Sequence, residues 1–179
     1  MTELVRILKK GGIGVLATDT IYGIVGSALS PRVVERIYRL RRRNLKKPMI
    51  VLIGSWNDLK KFGIGLTSGV KQQARKYWPG KVSVILPCGL KKFFYLHRGR
   101  NTIAFRFPAK KSLHVLLKKT GPLVAPSANL EGKPPAKTIE EARKYFGDKI
   151  DFYLDEGKII GKPSRILELR DGNMVAIRK

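Results

Sequence analysis

A chain of 179 residues, 43% hydrophobic and 28% charged, is long enough for one domain with an enclosed core and has the composition of an ordinary globular protein. No apolar run reaches membrane-spanning length, the first ten residues hold no signal-peptide segment, and the lone Cys88 excludes an internal disulfide, so a soluble cytoplasmic protein is expected. Charge is the outlier: 37 Lys and Arg against 13 Asp and Glu give +24, and fifteen cations between Leu59 and Leu130 meet no acid. Such a field attracts polyanions but does not choose between a nucleotide and RNA, and a basic surface kept for solubility is the plainer alternative.

Leu4, Ile7 and Leu8 share one face of a short helix over residues 1–10, which Gly11, Gly12 and Gly14 interrupt. These glycines are no dinucleotide fingerprint, because no strand precedes them and no helix follows. Ile13 to Ala17 reads as a buried strand. It ends in Thr18-Asp19-Thr20-Ile21-Tyr22-Gly23, a bend of hydroxyls, a carboxylate and a phenol, and Ile24-Val25 continues extended. Small polar groups at a strand's end suit a binding site, although a polar turn that merely caps the strand would look the same.

Ser30 and Pro31 open a helix as cap and first residue. Val33, Val34, Ile37 and Leu40 fall on its core face, and Arg32, Arg36, Arg39 and Arg43 on the other. Arg41, Arg42 and Arg43 cluster where the last carbonyls favour cations, and guanidinium forks match phosphate oxygens. Met49 to Ile53 is an apolar run that suits a strand covered on both faces. Ser55 caps a short helix, and Thr67 or Ser68 caps another that ends near Trp78. Trp78-Pro79-Gly80 is a turn, and Val82 to Leu86 is the next strand.

Pro87 to Asn101 is expected to be a loop whose aromatics, mixed with cations, could stack on bases but more commonly pack onto the body. Thr102 to Phe107 is a strand with Thr102 and Arg106 on one face. Ser112 should open a helix containing His114. Leu123 to Ala125 is a strand that ends in a second polar bend, Pro126-Ser127-Ala128-Asn129. Residues 131–137 form a Gly/Pro-rich loop, and Thr138 with Glu141 forms a capping box for a helix to about Phe146. Ile150 to Leu154 is a strand, 157–164 is expected to be mobile, and Asp171-Gly172 is a hairpin turn. Alternating strands and helices with a final hairpin predict an α/β domain over residues 1–179, with a mixed sheet.

Two histidines and one cysteine leave no metal-ligand cluster to find, and no nucleophile triad or P-loop is present. Hydroxyls, an amide and guanidiniums remain. Such a site works by positioning and charge neutralisation, as transfer at phosphorus does. The residues alone support binding of a phosphate-rich ligand.

Five pieces then occur in order: Thr18-Asp19-Thr20-Ile21-Tyr22-Gly23, Arg41-x-Arg43 with Lys47-Pro48, Trp78-Pro79-Gly80, Ala104-Phe105-Arg106-Phe107-Pro108, and Ala125-Pro126-Ser127-Ala128-Asn129. Together they resemble the YrdC-like family of threonylcarbamoyl-AMP synthases across nearly the whole chain. The resemblance implies the single-domain form: a twisted open mixed α/β sheet flanked by helices, with a basic concave face. It implies that L-threonine, bicarbonate and ATP, with Mg²⁺ on the triphosphate, give threonylcarbamoyl-AMP and pyrophosphate. Partner threonylcarbamoyl-transferase proteins would then modify tRNA.

By the same resemblance, Arg41 and Arg43 are catalytic, and Arg43, Lys47, Thr102, Ser127 and Asn129 hold ATP. Thr20, Arg106 and Ser164 hold threonine. Departures from the family pattern are Arg41 for a lysine, Ala17 and Pro135 for a proline and a serine, Arg165 for a threonine, and Leu52 for a histidine found in some members. Two alternatives stand beside the enzyme: a non-catalytic module binding double-stranded RNA or tRNA, and a relative handling other carbamoyl groups.

Overall fold

The computed structural model describes residues 1–170 and 173–178. Among these residues nine strands form one mixed sheet in the order β7-β1-β2-β6-β3-β5-β4-β8-β9. They are β1 (Gly14–Ala17), β2 (Tyr22–Ser27), β3 (Ile50–Leu52), β4 (Val82–Pro87), β5 (Thr102–Arg106), β6 (Leu123–Val124), β7 (Phe152–Tyr153), β8 (Arg165–Arg170) and β9 (Asn173–Arg178). Parallel pairs join β1 to β7, β3 to β5 and β4 to β8, and the other neighbours are antiparallel. β1 and β2 form a hairpin with Ala17 opposite Tyr22, so the first polar bend is the hairpin loop and opens no crossover helix. The expected Asp171-Gly172 turn lies outside the described residues, but β8 and β9 on either side of it pair antiparallel.

The helices start where side chains can satisfy free N–H groups. Ser30 Oγ accepts from Val33 N at the head of α2 (Pro31–Arg41), and Thr67 Oγ1 from Val70 N at the head of α3 (Ser68–Arg75). At α6 (Ile139–Phe146), Thr138 Oγ1 accepts from Glu141 N, but the Glu141 carboxylate reaches back to Lys137 N, one residue outside the expected box. α1 spans Thr2–Lys9 and α5 Lys111–Thr120. The cap of α5 is Lys110 rather than Ser112, because the chain turns into helix directly after the strand β5 and Phe107-Pro108. The expected 87–101 loop contains a short helix, α4 (Phe94–His97), with Phe93 and Leu96 buried and Tyr95 Oη donating to the Ala28 carbonyl at 3.0 Å. Phe93 and Tyr95 are thus packing groups, as expected, whereas Phe94 is exposed.

Side-chain alternation separates two cores. Val15, Ile24, Val51, Phe105 and Val84 point to a large core with α2 and α6. Leu16, Val25, Leu52 and Leu123 point the other way, against α1 and α5. These two helices cover only the β1-β2-β6-β3 half of that face. Among the described residues no helix covers the same face over β5, β4 and β8, so Thr102, Ala104, Arg106, Ile85, Ile166 and Glu168 line a cleft. No helix among the described residues is long and apolar enough to cross a membrane.

Candidate functional site

The two polar bends meet. Gly23 bridges Ser127, Ile24 N donates to the Pro126 carbonyl at 3.0 Å, and Ala128 N donates to the Tyr22 carbonyl at 2.9 Å. This stitching places Thr20 and Ser127 on one cleft of about 470 Å³, within the range of small-molecule sites. Among the described residues six arginines line it: Arg41, Arg43, Arg100, Arg106, Arg170 and Arg178. Glu168 is the one acid among the described lining residues, and its carboxylate accepts from Arg170 Nε.

One end is built on the first bend. Thr18 Oγ1 donates to the Ile21 carbonyl at 2.7 Å, which uses its only proton. Its 2.9 Å contact with Thr20 Oγ1 therefore has Thr20 as donor, and Thr20 accepts from Arg106 Nη1 at 3.0 Å. Arg106 is 4% exposed. Its Nη2 lies 3.2 Å from Asp19 Oδ1, an ion pair by distance whose alignment does not make a hydrogen bond. Burial pushes the Arg106 guanidinium below its ordinary range, while Asp19 pulls it back up. Ser164 shares a 2.9 Å hydroxyl contact with Ser83, and its carbonyl accepts from Arg178 Nε and Nη2 at 3.1 and 2.6 Å.

The segment 155–163 leads into Ser164 as an irregular strap. Tyr22 Oη donates to the Gly157 carbonyl at 2.7 Å and accepts from Glu156 N at 3.0 Å. Lys110 Nζ, at the start of α5, ties Glu156 at 2.5 Å to the Ala17 carbonyl at 2.9 Å. Gly161 sits so close to the Thr20 carbonyl that a Cβ there would lie 2.0 Å from its oxygen.

The other end joins the terminus of α2 to the second bend. Arg42 adopts a left-handed φ of 50°, which ends the helix and turns Arg43 toward the cleft. Arg43 donates to the carbonyls of Lys47 and Pro48 at 3.1 and 2.9 Å. Arg41 is only 2% exposed. Its Nε donates to the Asn129 carbonyl at 3.1 Å, and its Nη2 to Ser127 Oγ at 3.2 Å and Asn129 Oδ1 at 3.1 Å. Burial, and then the neighbouring charge of Arg43, push its guanidinium down to about 10. Buried N–H groups remain without a partner at Arg41 Nη1 and Arg106 Nε, both on lining residues.

Of the residues singled out from sequence, Thr20, Arg41, Arg43, Thr102, Arg106, Ser127 and Ser164 line this one cleft. Lys47 and Asn129 do not. Lys47 lies at the rim, 2.5 Å from Glu131, and Asn129 is buried behind the bend, its amide donating to the Leu130 and Lys133 carbonyls. The sequence reading missed Arg100, Glu168, Arg170 and Arg178. The two-residue period of β8 puts Ile166, Glu168 and Arg170 on one face and was a usable signal. Nothing local marks Arg100 or Arg178.

A family model described as "Telomere recombination", covering the Sua5, YciO and YrdC proteins, matches residues 6–179. The threonylcarbamoyl-AMP synthase of Marinobacter nauticus is 32% identical over 166 residues, spanning 90% of this chain and 87% of that protein. The threonylcarbamoyl-AMP synthase of Pyrococcus abyssi is 28% identical over 96% of this chain and 51% of its own length. Pyrococcus abyssi Sua5 complexed with L-threonine has a TM-score of 0.86 and 27% identity over 98% of this chain and 52% of that one. The chain thus spans about half the length of the Pyrococcus protein. Escherichia coli YciO shares the fold, with a TM-score of 0.83 at 24% identity over 99% of this chain and 87% of that one. With the family model matched almost from end to end and the α/β sheet shared with these structures, the chain belongs to the YrdC/Sua5-like family.

Proposed function

We propose that this protein is an L-threonylcarbamoyladenylate synthase, joining L-threonine, bicarbonate and ATP into threonylcarbamoyl-AMP with release of pyrophosphate. The observation that carries the reading is the meeting of the two polar bends on one arginine-lined cleft with two buried guanidinium N–H groups unsatisfied. Threonine's amine and bicarbonate condense to a carbamate with loss of water. A carbamate oxygen attacks the α-phosphorus of ATP, and pyrophosphate leaves. The nucleophile belongs to the substrate, so the protein needs only to orient the reactants and neutralise charge.

In this reading Arg106 pairs with the threonine carboxylate, and Thr20 and Ser164 enclose the amino acid. Arg43, Thr102 and Ser127 take the nucleotide, which enters as its Mg²⁺ complex, and Lys47 reaches the phosphates from the rim. Arg41 and Asn129 act by fixing the Ser127 bend, a role their hydrogen bonds support. Charge-assisted hydrogen bonds of about 1.5–3 kcal/mol each make a few such contacts enough to hold a triphosphate. The product is a reactive mixed anhydride for a threonylcarbamoyl-transferase acting on tRNA. Pyrophosphate release that requires both threonine and bicarbonate tests the reading. No release, with duplex-RNA affinity falling steeply with salt, would replace it by a nucleic-acid-binding role.

A further inference from the structure

At the rim, two donors converge on an anion that the chain supplies itself. The loop between α2 and β3 presents the Asn44 N–H and the Lys47 ammonium to one carboxylate, that of Glu131. Lys47 Nζ is 2.5 Å from Oε1, and Asn44 N donates to Oε2. A backbone N–H and a cation around two oxygens of one anion is also a donor set for phosphate. The seat lies beside the cleft, because Arg43 and Pro48 of the same loop line it. Glu131 is two residues beyond Asn129 on the second bend, and its N–H donates to the Arg41 carbonyl at 2.9 Å. The carboxylate therefore sits between the two segments assigned to the nucleotide. Among the described residues no other acid pairs with Lys47.

We propose that Glu131 is an internal stand-in for a phosphate group: it occupies the Lys47 and Asn44 donors in the free protein and must yield the lysine when a polyphosphate enters. This rests on the nucleotide reading of the cleft. The carboxylate keeps the loop in a ready shape without ligand, and it weakens the complex by competing for the same cation. The two roles separate chemically. Glutamine at 131 keeps an oxygen to accept from Asn44 N but gives up the charge that holds Lys47, whereas alanine removes both contacts.

Calorimetric titration of inorganic tripolyphosphate and of ATP into the wild-type protein, Glu131→Gln and Glu131→Ala tests this without relying on turnover. Glu131→Gln is expected to bind both probes about fivefold more tightly, the upper range for releasing one exposed ion pair. The gain should vanish in a Lys47→Ala background, because there is no cation left to release. Equal or weaker binding by Glu131→Gln, or a gain that survives Lys47→Ala, would overturn the stand-in role. Failure of wild-type and variant alike to bind either probe would instead remove the nucleotide reading, and this proposal with it.

Discussion

Gly161→Ala tests how the strap shapes the end of the cleft proposed to hold threonine. A Cβ at this position would lie 2.0 Å from the Thr20 carbonyl oxygen and 3.1 Å from its carbon. Non-bonded contacts of that kind begin near 3 Å, so the strap must retreat from the first bend by about 1 Å. Thr20 gives least, since Arg106 and Thr18 hold its hydroxyl and β1 and β2 hold its loop. The strap yields instead, because residues 157–163 belong to no helix or strand and, between the Tyr22 tether at Gly157 and the Ser83 contact at Ser164, are tied by Ile159 N donating to the Lys137 carbonyl at 2.8 Å.

A 1 Å displacement of a positioning element costs up to about 100-fold in rate, so kcat/KM for threonine should fall by about that factor. Stability should fall by about 1 kcal/mol, the low end for overpacking, because the strap itself is exposed and can move. Pyrophosphate release measured against threonine concentration, with a thermal melt of the same sample, checks both. Unchanged kcat/KM would refute the proposal that Thr20 and Ser164 enclose threonine. A melting temperature lowered by 10 °C or more would show that the strap belongs to the folding core.

Arg106→Ala should raise the threonine requirement by about 100-fold or more, the loss of charge-assisted bonds to a carboxylate, while ATP affinity measured by titration stays within about twofold. A defect confined to ATP would mean that the two ends of the cleft are assigned the wrong way round. Arg43→Ala should weaken ATP binding by about 10- to 100-fold and leave the far-UV spectrum unchanged, and unaltered ATP affinity would remove Arg43 from the nucleotide site. At Asp151, partial burial raises the carboxyl, but Arg36 and Ile13 N, each 2.7 Å away, outweigh it and hold the group below its ordinary 3.8. A lowered folded value means that its stabilisation is present above the unfolded value near 3.8 and is lost as pH falls through the folded one. The melting-temperature advantage of wild type over Asp151→Asn should therefore shrink below about pH 4, and an advantage constant down to pH 2 would exclude the linkage.

Much of the local structure was written in short range. Ser30-Pro31 and Thr138 mark helix starts because a hydroxyl satisfies a free N–H within three residues. The runs at 13–17 and 49–53 mark strands because most of their residues are buried, the run at 82–86 marks one whose Ile85 faces the cleft, and a net charge of +24 marks a chain whose field attracts polyanions. The two bends were legible as clusters of small polar groups, and the family likeness named seven of the residues that line the cleft.

Three-dimensional packing decided the rest. The sheet order sets β6 between β2 and β3, and only that neighbour relation brings Ser127 beside Gly23. Thr20 and Arg106 are 86 positions apart and meet through strand register, which no local period records. Burial turned Arg41 inward to hold the second bend, and a carboxylate 84 positions away claimed Lys47. Periodicity and capping report what each segment satisfies within a few residues, whereas the cleft is made by side chains whose partners lie on other strands, and those partners exist only once the sheet has chosen its order.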